Sequence, residues 1–76
     1  AEKGGALPAV LNAANEVAVE QFLLGHCGFL QITEAVLQVM EKMQSVSKHH
    51  SLEEILAADR EARRRTAEWL CHQSSR

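Results

Sequence analysis

Apolar residues recur along this chain at the three-and-four spacing of helical faces, and no stretch alternates as a half-buried strand would. The first run sets Leu7, Val10, Leu11, Ala14, Val17, Ala18 and Phe22 on one side, with Val19 and Leu23 widening the stripe. It predicts a helix from about Pro8 to Leu24. Pro8 suits a first turn, because the N–H it lacks would be unpaired there. Gly25 ends the run as a favoured left-handed cap. A stripe this wide predicts a helix central to its bundle.

A connection from His26 to Leu30 follows, with Gly25 and Gly28 permitting the turn. The second helix is predicted over roughly Gln31 to Met43, with Ile32, Ala35, Val36, Val39, Met40 and Met43 inward. Ser45 to His50 reads as a polar loop. Ser51-Leu52-Glu53-Glu54 is a capping-box sequence, in which hydroxyl and carboxylate satisfy each other's backbone N–H groups. Leu52, Ile55 and Leu56 give the third helix its apolar side. Asp59 reads as a new N-cap, so a break there, with a fourth helix from Arg60 to about His72, is preferred over one continuous helix. The inner face of that segment is Ala62, Thr66, Trp69, Leu70 and Gln73. Asp59 with Arg63, Glu61 with Arg65, and Arg64 with Glu68 are spaced as i,i+4 ion pairs, each worth ~0.2–0.5 kcal/mol. The expectation is an all-α bundle of three to four helices forming a single domain over residues 1–76. Residues 1–6 form a flexible lead-in and 74–76 a frayed tail.

Composition narrows the function. The 76 residues suffice for one small domain of marginal stability. Ten acidic and eight basic side chains leave a net charge of −2, which draws the chain neither to nucleic acid nor to anionic lipid. The longest uncharged apolar-rich stretch, Val17 to Ile32, is interrupted by Glu20 and is no membrane span. Two cysteines make no disulfide framework, and a reduced intracellular compartment fits best.

Candidate chemistry is sparse. Gly4-Gly5 lacks the spacing of a phosphate loop. His26-Cys27 and Cys71-His72 supply the residue types of a zinc site, but adjacent residues rarely converge on one tetrahedral ion. His49-His50 reads as a solvated loop pair. Arg63, Arg64 and Arg65 point about 100° apart on a helix and are flanked by Asp59, Glu61 and Glu68, so they read as an ion-paired surface. No catalytic, cofactor-binding or metal-ligating residue is assigned. Asn12, Asn15 and Glu16 stand out, because asparagine is a poor helix-interior residue whose amide competes for backbone partners. They are assigned as residues that fasten a loop or a neighbouring domain. Asn12 is expected to reach the Gly4–Leu7 segment, and Asn15 to face a neighbouring upstream domain.

The segment GGALPAVLNAANEVAVEQFLLG, Gly4 to Gly25, resembles the C-terminal motif of the 1-deoxy-D-xylulose 5-phosphate reductoisomerase family. LNAANE is Leu11 to Glu16, with Phe22-Leu23 at the family spacing. Gly28-Phe29 with Ile32, Ser51 to Asp59, and Glu61-Ala62-Arg63 extend the resemblance over nearly the whole chain. It implies the helical C-terminal domain of an enzyme that converts 1-deoxy-D-xylulose 5-phosphate to 2-C-methyl-D-erythritol 4-phosphate, a step of non-mevalonate isoprenoid biosynthesis. It further implies NADPH and Mn²⁺ or Mg²⁺ as cofactors, held by upstream domains rather than by this chain. A homodimeric parent in a bacterial cytoplasm or a plastid stroma is also implied. The competing expectation is an autonomous helical module that binds a partner helix.

Overall fold

The computed structural model describes residues 6–44 and 51–74. The expectations for the lead-in (1–5), for the loop with His49 and His50 (45–50) and for the last two tail residues (75–76) lie outside the described residues. Three helices are present among the described ones: α1 (Leu7–Leu23), α2 (Phe29–Lys42) and α3 (Leu52–Ser74). All the regular structure among the described residues is helical, as the spacing predicts.

Helix α1 starts without a side-chain cap, and Pro8 occupies its first turn. Its end is a Schellman motif. The Gly25 N–H donates to Phe22 O at 3.0 Å and the His26 N–H to Gln21 O at 2.8 Å. Gly25 takes φ +83°, the left-handed backbone that closes such a cap without a Cβ clash. Helix α2 begins two residues before the predicted position. The Gln31 carboxamide reaches back to accept from the Gly28 N–H at 2.7 Å, which permits the earlier start. At α3 the capping box forms in both directions: the Ser51 N–H donates to Glu54 Oε1 at 3.0 Å, and the Glu54 N–H donates to Ser51 Oγ at 3.2 Å.

The expected break at Asp59 does not occur, for α3 is one helix of 23 residues. The carboxylate that would have capped a new helix instead accepts from Arg63 Nε at 2.6 Å, one turn onward. No glycine or proline lies nearby to interrupt the backbone ladder.

One core cluster joins Ala6, Val10, Ala13 and Ala14 to Val36, Val39 and Met43 and to Ala58 and Ala62. A second joins Ala18, Ala35 and Leu70, with Cys27, Ile32 and Trp69 packed against it. Residues 6 to 18, on α1 and its first turn, therefore run alongside 58 to 70 of α3 in the same direction, and α2 packs in the reverse direction, chiefly against α1. The bundle is up-down-up, and α1 touches both partners extensively. Between α1 and α3 the buried residues are mostly alanines, and Thr66 is the one buried polar side chain among the described residues. Its hydroxyl donates to Ala62 O at 2.7 Å, which satisfies it inside its own helix.

The inward residues of α2 are those expected. On α1 the pattern is rotated: Ala13 is fully buried while Leu11, read as inward, is about half exposed. Ala6, placed in the lead-in by sequence, is fully buried beside Val10.

Candidate functional site

Asn12, Asn15 and Glu16 all lie on exposed α1 surface, away from the side that buries Val10, Ala13, Ala14 and Ala18. The Asn12 amide donates to Glu16 Oε2 at 3.4 Å, a weak surface contact one turn away. It reaches no backbone group of the described lead-in. Asn15 has no hydrogen-bond partner among the described residues. With Glu16, Val19, Glu20, Leu23 and Leu24 it lines an open groove of about 390 Å³ along α1. The three residues thus share one helix face, but no segment of this chain is fastened there among the described residues.

Glu16 has a stronger partner. Its Oε1 accepts from Arg63 at 2.8 Å, tying α1 to α3 across 47 residues of sequence. Arg63 also donates to Asp59, and the two carboxylates, Asp59 foremost, push its guanidinium pKa further up. This clamp was missed by sequence reasoning. The i,i+4 rule finds Asp59–Arg63, but only knowledge of which faces meet could have added Glu16.

The other two arginines are equally occupied. Arg64 binds Glu61 at 2.7 Å and Glu68 at 3.1 Å. Arg65 Nε lies 2.7 Å from Glu61 Oε2, an ion pair without the alignment of a good hydrogen bond. Arg64 is the main cause holding the Glu61 carboxyl below its ordinary range. All three predicted i,i+4 pairs are present, and the arginine run is an ion-paired surface.

The remaining candidates do not converge. His26 Nδ1 pairs with Gln21 Oε1 at 2.8 Å. Cys27 is half-buried, its thiol directed at Ala18 O at 3.9 Å, and burial raises its pKa. Cys71 is exposed, and both cysteines are free thiols. No group of three or more His, Cys, Asp or Glu side chains is arranged to hold a metal among the described residues. A groove of about 240 Å³ between α2 and α3 is lined by Val39, Lys42, Arg65, Glu68 and Trp69 among others. The Arg65 and Glu68 there are already paired within α3. The described residues therefore offer no cluster that fits a divalent metal. No described helix is long and apolar enough to cross a membrane.

Comparison with known proteins bears on the whole chain. The profile of the DXP reductoisomerase C-terminal domain matches residues 1–65. The chain is 49% identical over 70 residues to the 1-deoxy-D-xylulose 5-phosphate reductoisomerase of Citrifermentans bemidjiense, covering 92% of this chain and 18% of the relative. It is 47% identical over 70 residues to the enzyme of that name from Pseudomonas aeruginosa, covering 92% and 17%. With that from Pelotomaculum thermopropionicum it shares 60% over 60 residues, covering 79% and 15%. The chain thus spans less than a fifth of the length of these relatives. No solved structure gave a significant match.

Proposed function

Because this chain belongs to the DXP reductoisomerase C-terminal domain family, we propose that it serves as the structural C-terminal domain of an NADPH-dependent 1-deoxy-D-xylulose 5-phosphate reductoisomerase. In this reading it supports the catalytic part of the enzyme and takes no part in the chemistry. The observation that carries the reading is the extent of the match: almost the whole chain aligns with a domain-sized portion of much longer enzymes.

The side chains support a structural role. Arg63, Arg64 and Arg65, the run that resembles a phosphate contact, are spent on carboxylates of the same bundle. NADPH and Mn²⁺ or Mg²⁺ belong in this reading to the upstream domains of a homodimeric enzyme, and a cytoplasmic or plastid setting follows from that pathway. Asn12, Asn15 and Glu16 take the fastening role, with the groove from Asn15 to Leu24 turned toward a neighbouring domain. Asn15 has an amide to offer there, and Glu16 is held in place by Arg63.

The test is a graft. Put in place of the matching segment of the Pseudomonas aeruginosa relative, this chain is expected to sustain NADPH-dependent turnover. Alone, it is expected to give a flat NADPH fluorescence titration. Saturable binding of NADPH by the isolated chain, or a folded graft without turnover, overturns the proposal.

A further inference from the structure

From Gln21 to Thr33 the chain carries no Asp, Glu, Lys or Arg. These residues form one end of the bundle, where α1 turns into α2. Leu23 is 76% exposed, Leu24 59%, Phe29 69% and Leu30 76%. The apolar surface stands on a rigid support. The Schellman cap at Gly25 fixes the chain direction. The Phe22 and Phe29 rings meet edge-on at 5.7 Å. Gln31 ties down the Gly28 N–H. Solvent-exposed carbon held this firmly marks a contact surface.

Charge says what kind of surface covers it. The nearest charged residues in sequence are Glu20 and Glu34, both exposed. Neither has a partner among the described residues. No Lys or Arg follows Arg65 among the described residues, and Glu68 on α3 is already paired with Arg64. An anionic membrane would be repelled by this rim. A second copy of the chain would set acid against acid across a two-fold axis. Size also disfavours a free partner. A large aromatic buries ~150–250 Å² and a leucine less, and Leu23, Leu24, Phe29 and Leu30 are already partly covered, so the four fall short of the ~800 Å² per side of a stable untethered complex. A covalently linked partner needs far less, because tethering raises its effective concentration to the millimolar range.

Resting on the proposed role as a terminal domain, we propose that the α1–α2 turn, through Leu23, Leu24, Phe29 and Leu30, is the anchor that docks this domain onto the remainder of its enzyme, against an apolar surface rimmed with basic groups. The apolar patch continues into the groove of α1 through Leu23 and Leu24. The amides of Asn12 and Asn15 then orient the contact, and the turn supplies its strength.

The test uses the same graft in the Pseudomonas aeruginosa relative, together with the isolated chain. Limited proteolysis of the graft reads how fast the terminal domain is released. Leu23→Ser with Leu30→Ser is expected to speed release by roughly tenfold or more, from the loss of two buried leucines. Glu20→Lys with Glu34→Lys is expected to speed it too, and to abolish its dependence on salt. The isolated chain should sediment as a monomer and melt at an unchanged temperature with either pair of substitutions. If the graft turns over substrate and the leucine pair releases no faster, the anchor is wrong while the terminal-domain role survives. An isolated chain that forms a dimer dissolved by Leu30→Ser, or that loses stability with the leucine pair, also overturns the anchor. A folded graft without turnover removes both readings.

Discussion

Replacing Trp69 by alanine tests how the second core cluster is held. Trp69 is half-buried, packed on Ala18, Ala35 and Leu70 with Cys27 and Ile32 beside it. It therefore closes the upper part of the bundle against both α1 and α2. A fully buried Trp truncated to Ala costs ~3–5 kcal/mol. The part of the ring open to the α2–α3 groove contributes little, so about 2–3 kcal/mol is expected here. A domain of this length has a total stability of only ~4–11 kcal/mol. At ~4–8 °C per kcal/mol, the melting temperature should fall by roughly 10–20 °C. The assay is a thermal melt followed by far-ultraviolet circular dichroism, since the substitution removes the only tryptophan. Trp69→Phe should recover much of the loss, because a smaller ring still covers Leu70. A Trp69→Ala protein melting within a degree or two of the parent would refute the docking of α3 on this cluster. So would equal losses for Ala and Phe, which would point to the indole N–H instead of the packing.

Three further outcomes are expected. Gly25→Ala should cost about 1 kcal/mol in a denaturant melt, because φ +83° is strained for any side chain even though space is open around the position. Stability should decline as pH falls below the ordinary glutamate range: Glu61 has a lowered folded pKa, so the unfolded chain binds protons first, and the contribution present above that range is lost as the folded carboxyl titrates. Melts from pH 7 to pH 3 should show this, and Glu61→Gln should flatten the decline. Asn12→Ala should change the melt of the isolated chain by no more than ~0.5 kcal/mol, since its amide makes only a long surface contact, and any larger cost of Asn12→Ala or Asn15→Ala should appear in the graft alone.

The parts of this fold written in sequence are those governed by short-range rules. The Ser51–Glu54 box, the glycine stop at Gly25 and the three i,i+4 pairs of α3 involve residues at most a turn or so apart, and each formed as its pattern dictates. The α2 stripe was legible because its inward residues are its apolar ones. On α1 the same reasoning picked Leu11 over Ala13. Ranking residues by hydrophobicity favours the larger one, but a tight helix pair selects the smaller. Asp59 misled for a related reason: its capping tendency is real, yet Arg63 one turn on competes for the same carboxylate. Of the candidate site, the unusual amides of Asn12 and Asn15 were visible as anomalies. Their exposure was not, nor was the Glu16–Arg63 clamp, because both depend on which faces meet in three dimensions. Of the apolar end, Leu23 was read in sequence as part of the α1 stripe and Phe29 and Leu30 as part of a connection, since periodicity does not tell a residue that packs from one that waits for a partner.

The alanine seam between α1 and α3 imposes a ceiling on size. At Ala13, Ala58 and Ala62 almost nothing can be removed, so the losses that usually damage a core scarcely exist there. What these positions cannot accept is growth. A valine or leucine, which would stabilise a looser protein by filling space, would here force two helices apart and break contacts along their whole shared length. Drift in this domain is therefore lopsided. Outer residues away from the proposed contact surface are free to vary in either direction, while the seam tolerates glycine or serine more readily than any larger apolar residue, and hydrophobicity alone would rank those replacements in the opposite order.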